Sequence, residues 1–186
     1  MTEQEILNLI ASDEWMMNIL RVAAGLRLPD WAIGAGFVRN KVWDRLHGYS
    51  RPGVDTADID LVYFDPGGND EEADRALSEK LKNETGLTWE IVNETYAHKW
   101  NDLPPYVSTE DAISQWPETA TSIGVRLEGG VLKLVAPNGI DDLVSLTLRP
   151  TPKFSGGIAK VKERAEKKKW LEKWPKLTLA DADRDG

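Results

Sequence analysis

Apolar residues along this chain recur with two periods, and the switches between them mark out its elements. Over residues 3–25, Ile6, Leu9, Ile10, Trp15, Ile19, Leu20 and Ala23 fall at helical spacing, with Ser12 or Asp13 placed to cap a second helix. WAIG (31–34) predicts a short strand. It leads through a glycine-bearing turn into GFVRNKVWDRLHG, where Phe37, Val38, Val42, Trp43 and Leu46 return to a helical period. RPGVDT (51–56) reads as a loop. ADIDLVYF (57–64) has the apolar run of a buried strand and ends in the strong turn signal DPGGND (65–70). Residues 70–85 form an amphipathic helix with Ala73, Ala76, Leu77 and Leu81 inward, stopped by Gly86. LTWEIVN (87–93) is strand-like, with Trp89 and Ile91 on one face. KWNDLPPY (99–106) is a proline-containing loop, and Ser108 followed by Asp111 predicts a helix N-cap before AISQW.

Alternating apolar runs in TSIGVRL and VLKLVAP flank EGG and predict a β-hairpin. NGIDDLVSLTL contains a short helix, and residues 153–176 are Lys-rich, with Trp170 and Trp174. The order strand, helix, strand, helix, strand, hairpin predicts an α+β (mixed α/β) fold, a small mixed sheet flanked by helices. The expected organisation is one domain over 1–186, with N-terminal helices in 3–25 and a Lys-rich C-terminal helix and tail in 153–186.

Composition narrows the function classes. A net charge of −8 over 186 residues excludes collection of nucleic acid by bulk electrostatics, so no duplex-DNA binding is expected. The sequence has no Cys, which excludes disulfide and thiol chemistry. No apolar run approaches the ~20 residues that span a bilayer. The start, MTEQEILNLIASDEW, is acidic and lacks the basic stretch of a secretory signal. These features predict a cytoplasmic protein with no membrane partner.

Two acids then stand out. Asp58 and Asp60 open the ADIDLVYF strand two residues apart, which puts both on one face, ~7 Å apart along the strand. Carboxylates that close repel, and burying them unpaired is expensive. A solvated strand end is one resolution; a divalent cation, held by one or two carboxylates with substrate phosphates, is the other. The turn GAG (34–36) between strand and helix favours the second. Glycines allow a ligand to approach the backbone, and a helix N-terminus attracts phosphate. The competing reading is a tight turn that needs positive φ. Taken together, turn and acid pair predict a nucleoside triphosphate with Mg²⁺ (or Mn²⁺). Arg39 and Lys41 lie nearby; either could neutralise phosphate, though Lys41 also reads as a solvated side chain.

These motifs resemble the nucleotidyltransferase-like group of the DNA polymerase β-type nucleotidyltransferase superfamily. The pattern is an apolar residue and glycine-rich turn, IGAGF (33–37), followed by acid–apolar–acid–apolar, DIDL (58–61). The chain is closer still to one uncharacterised bacterial family. That likeness rests on GFVRNKVWDRLHG (36–48), DIDLVYFD (58–65), Asn93 with His98, PYVSTEDAISQWPETAT (105–121), APNGIDDLVSLTLRPTP (136–152) and a terminal Trp170…Trp174-Pro175. The resemblance implies a nucleotidyltransferase-type fold and transfer of an NMP group from an NTP to an acceptor hydroxyl. It implies metal ligation by Asp58 and Asp60 and nucleotide contacts from Gly34, Gly36, Arg39 and Asn40. Glu90 is the natural third carboxylate, on the next strand, and Asn93 and His98 are possible further site residues. The acceptor is left open between a protein, an RNA end and a small molecule. If Glu90 faces solvent instead, the alternative is a catalytically silent NTP-Mg sensor or regulatory protein.

Other features are read structurally. Trp43 belongs to the core. Glu118 either closes a loop over the site or caps a turn, and Arg126 reaches a triphosphate only if its face points inward. The Lys/Arg-rich stretch 160–176 is a solvated helix face with i,i+3 and i,i+4 pairs rather than a polyanion contact. DADRDG (181–186) echoes half a Ca²⁺ loop and is read as a polar tail.

Overall fold

A computed structural model describes residues 1–54, 56, 58–68, 70–101 and 103–180. The 181–186 tail therefore lies outside the described residues. The N-terminal helical stretch is two helices, α1 (Glu3–Ala11) and α2 (Glu14–Gly25). Thr2 and Glu5 form a reciprocal capping box on α1, and of the two candidates for α2 it is Asp13 that accepts from the Met16 N–H. Then β1 (Ala32–Gly34) turns into α3 (Gly36–His47). Strand β2 (Ile59–Tyr63) is followed by α4 (Glu71–Thr85), and β3 (Trp89–Asn93) by the short α5 (Glu94–Ala97). Residues 99–101, expected within the 99–106 loop, belong to one 3-10 turn, His98–Asn101.

Ser108 caps α6 (Thr109–Ser114) by accepting from the Asp111 N–H, as its position predicts. The hairpin is β4 (Gly124–Glu128) and β5 (Val131–Val135), turning on Gly129 and Gly130 at φ 57° and 85°. After α7 (Asp141–Val144) and β6 (Thr147–Leu148) come α8 (Gly157–Lys167), α9 (Trp170–Lys173) and β7 (Thr178–Leu179).

Five strands form one mixed sheet in the order β3-β2-β1-β4-β5. Only β2 and β3 are parallel, joined through α4; β1 runs antiparallel to both its neighbours. The expected mixed α/β architecture is what the chain adopts. A second, two-stranded parallel pair, β6-β7, has no counterpart in the sequence pattern.

Strand alternation gives the two faces of the sheet different work. Ile33, Ile59, Leu61, Tyr63, Trp89, Ile91 and Val125 point into the main core, shared with α1, α2, α3 and the C-terminal helices. Ala32, Val62 and Val92 belong to a smaller cluster with Ala97, Tyr106 and Ile113. Asp60 precedes Val62 on this second face of β2, and Glu90 precedes Val92 on that of β3. The acids therefore sit where the smaller cluster ends, not in the main core. The C-terminal segment docks by its tryptophans: Trp170 and Trp174 pack edge-on against Trp43, with ring centroids 5.7 and 5.1 Å away. The Trp174 indole N–H also donates to Asp44 at 2.8 Å. Among the described residues, no helix is long and apolar enough to cross a membrane.

Candidate active site

The parallel register of β2 and β3 sets Asp60 directly beside Glu90. With Asp58 they form a triad in which one carboxylate oxygen from each residue lies within 4.8 Å of the others. Burial first, then the Asp58 and Glu90 charges, push the Asp60 carboxyl up to about 7, while Arg39 and Lys168 pull it down. Three carboxylates this close repel one another, which a bound cation would relieve. Their oxygen-only donor set fits a hard divalent cation such as Mg²⁺ or Mn²⁺.

The triad lines a cavity of about 650 Å³. One end of the cavity is the β1–α3 turn, because β1 pairs with β2 and brings Ala35 and Gly36 into the lining. No side chain caps the N-terminus of α3. The positive φ in this turn belongs to neither glycine but to Ala35, at φ 50° and ψ −120°, a strained setting for a residue with a Cβ. The glycines are required by packing. A Cβ on Gly34 would lie 2.6 Å from the Trp116 ring, and one on Gly36 would lie 2.7 Å from the Thr56 hydroxyl.

Arg39 is buried yet lines the cavity. Its guanidinium stacks 4.3 Å from the Trp170 ring centroid and 5.0 Å from that of Trp43. It donates from Nε to Asn40 at 3.0 Å and from Nη1 to Thr121 at 2.7 Å. Burial lowers it to about 10, which leaves it charged at neutral pH. Asn40 lines the cavity beside it and helps to orient it.

Several expectations need correcting. Lys41 is neither solvated nor at the site: it is buried on the far side of α3, paired with Asp13 and bonded to the Arg51 and Gly53 carbonyls. Asn93 is not part of the lining. It is buried as the cap of α5 and braces the ends of β2 and β3 through both backbone groups of Asp65. His98 is likewise outside the lining and packs edge-on behind Tyr106. Arg126 points to Asp30, at 3.1 Å, rather than to the cavity. Glu118 neither closes a loop nor caps a turn by its carboxylate. It is wholly buried and pairs with Arg164 at 2.5 Å, tying α8 to the body of the fold.

The Lys-rich stretch divides. Lys160 and Lys169 are solvated and pair with Glu163 and Glu172 on their own helix surfaces. Arg164, Lys168 and Lys173 line the cavity instead. The first two were missed in the sequence; the Lys168 charge reaches Asp60, while Arg164 pairs with Glu118. The signal that could have found them is their i,i+4 spacing on the face of α8 that leads into the core residue Trp170.

A nucleotidyltransferase family profile matches residues 21–179. This chain belongs to the nucleotidyltransferase family. It is a metal-dependent nucleotidyltransferase of the DNA polymerase β-type superfamily, and it transfers NMP groups. A solution structure described as revealing a CCA-adding enzyme head domain is 34% identical over 97% of both chains, with a TM-score of 0.85. The fold is also that of the Thermotoga maritima CCA-adding enzyme complexed with tRNA, at 16% identity and TM-score 0.59. A tRNA nucleotidyltransferase with primer tRNA and an incoming ATP analogue is similar at 16% identity and TM-score 0.51. This nucleotidyltransferase covers 95% and 87% of itself in those two comparisons but only 42% and 46% of the larger enzymes. Among curated proteins there is no match.

Proposed function

We propose that this nucleotidyltransferase adds an NMP group from NTP·Mg²⁺ to the terminal hydroxyl of an RNA, forming a phosphodiester at the α-phosphorus and releasing pyrophosphate. The observation that carries the proposal is the carboxylate triad sharing one cavity lining with Arg39, Arg164 and Lys168. Asp58, Asp60 and Glu90 would hold the cation, which supplies charge neutralisation at the transferring phosphoryl group. The remaining work falls to the chain. The N-terminus of α3, Asn40 and the three cations bind and orient the triphosphate. The packing around Gly34 and Gly36 holds Ala35 in its strained setting, and the turn presents the helix end to the cavity. Glu90, the exposed member of the triad, is open to the acceptor side and receives the proton of the attacking hydroxyl. Positioning and charge neutralisation contribute most of the rate.

The RNA acceptor rests on the enzymes that share this fold, several of which act on tRNA. A cytoplasmic location follows from that reading, since NTPs and RNA ends meet there. The silent-sensor alternative rested on Glu90 facing solvent; Glu90 is exposed, but its carboxylate lies within 4.8 Å of those of Asp58 and Asp60, which favours the working triad. The test is incubation with each α-labelled NTP, Mg²⁺ and a pool of cellular RNA, protein and small molecules. Label is expected on RNA 3′ ends, and Asp58→Ala and Asp60→Ala are each expected to abolish it while the fold survives. Turnover that persists in the double variant, or label found only on protein, sinks the proposal.

A further inference from the structure

The cavity does not end at the metal-binding acids. Two residues further along each parallel strand lie Val62 and Val92, and Glu94 follows on the same face. Tyr106 and Leu103 wall this end, and Trp100 stands at its rim. The compartment lies on the opposite side of the acids from the β1–α3 turn, because β1 runs antiparallel to β2, with Ala32 beside Val62 and Ile33 beside Leu61, and so carries its turn toward the start of β2.

Its chemistry is unusual in two ways. Glu94 is 4% exposed and, among the described residues, its carboxyl group makes no hydrogen bond or ion pair. Such a group is expensive to bury without a partner, and it faces open space in the cavity. Burial pushes it up to about 8, so it holds its proton at neutral pH. A neutral carboxyl presents one donor and one acceptor side by side. Trp100, meanwhile, leaves 54% of its surface exposed at the rim, the largest exposed ring in the protein. Apolar walls, a half-exposed aromatic ring braced edge-on by Tyr96 and a buried carboxyl without a partner make the anatomy of a site for a flat ring with a polar edge.

Resting on the nucleotidyl-transfer reading above, we infer that this compartment holds a nucleobase, its edge paired with Glu94 and its face against Trp100. The base can come from the incoming NTP or from the last nucleotide of the acceptor; the chemistry is shared and the experiment separates them. Glu94→Gln keeps a donor and an acceptor in place, Glu94→Met keeps the volume without them, and Trp100→Ala removes the platform.

In one arm, Mg²⁺-dependent binding of the four NTPs is compared with that of tripolyphosphate, which has no base. In the other, short RNAs are compared with the same RNAs ending in an abasic nucleotide. The base should strengthen wild-type binding about tenfold or more in one arm. Glu94→Gln should keep most of that gain, while Glu94→Met and Trp100→Ala lose it. Tripolyphosphate binding should be the same in all four proteins. A response in the NTP arm assigns the incoming base, and one in the RNA arm the acceptor base. If triphosphate binding is intact but neither variant changes the contribution of a base, the compartment assignment alone is overturned. If the wild type binds neither NTP nor RNA, the functional reading fails and takes this inference with it.

Discussion

Arg164 is the sharpest place to separate what the fold needs from what the reaction needs. Its Nε donates to the wholly buried Glu118 at 2.5 Å, while the side chain is 31% exposed along the cavity. Replacing Arg164 with Ala strands a carboxylate inside the protein. Breaking a buried pair in this way typically costs ~3–5 kcal/mol. Here Arg39 also feels the Glu118 charge, and Arg164 is partly hydrated, so about 3 kcal/mol is the better figure. For a chain of this length that is a fall in Tm of roughly 6–12 °C.

A second variant, Glu118→Leu with Arg164→Met, removes both charges and should return to within about 1 kcal/mol of wild type, because a buried pair is worth little against apolar packing. Affinity for NTP·Mg²⁺ should behave differently. Losing a charge-assisted phosphate contact weakens binding by about 1.5–3 kcal/mol, or roughly ten- to a hundredfold, in both variants. Thermal melts and isothermal titration read the two effects. Nucleotide affinity that recovers with stability in the double variant would show that Arg164 acts only through the fold. A single variant as stable as wild type would show that Glu118 is not held as a charge.

Three further predictions follow from the site. Ala35→Gly relieves a positive φ and should raise Tm by a few degrees, since ~1–3 kcal/mol of strain outweighs the added freedom of the unfolded chain; a lower Tm refutes the strain. Gly34→Ala places a methyl against Trp116 and the Ile123 carbonyl and should cost about 1–3 kcal/mol in denaturant melts. Glu94 is held at about 8, above its ordinary 4.5, so between those values the folded protein binds a proton that the unfolded chain has released. Its contribution is therefore a loss of stability as pH rises from about 4.5 to about 8, at most roughly 5 kcal/mol. Glu94→Gln should flatten that slope in denaturation series at pH 5, 6.5 and 8, and an unchanged slope assigns it to other groups.

What could be read from the sequence was whatever depends on neighbours in the chain. Asp58 and Asp60 share a face because strands alternate, and Glu90 joins them because a strand, a helix and a strand in succession make a parallel pair. The sequence offered Glu90 only as a candidate, with a sensor as the alternative; the β2–β3 register brings it beside Asp60. The residues that misled are those whose environment is decided by distant partners. Lys41 looks like any helix-surface lysine until Asp13, 28 residues earlier, caps α2 against it. Arg164 and Lys168 look like members of a solvated charged face. Arg164 turns inward because Glu118 is buried opposite it, and Lys168, though exposed, lines the cavity because Trp170 and Trp174 lock the segment onto Trp43. The glycine turn misled in a subtler way. GAG suggested backbone freedom for a ligand, but Gly34 and Gly36 are small because Trp116 and Thr56 press on them, and the unusual backbone falls on the residue between. The basic wall of the cavity is thus a consequence of how the C-terminal segment packs. A change in that tryptophan cluster, which itself lines the cavity, should reach the chemistry by moving Arg39, Arg164 and Lys168 together.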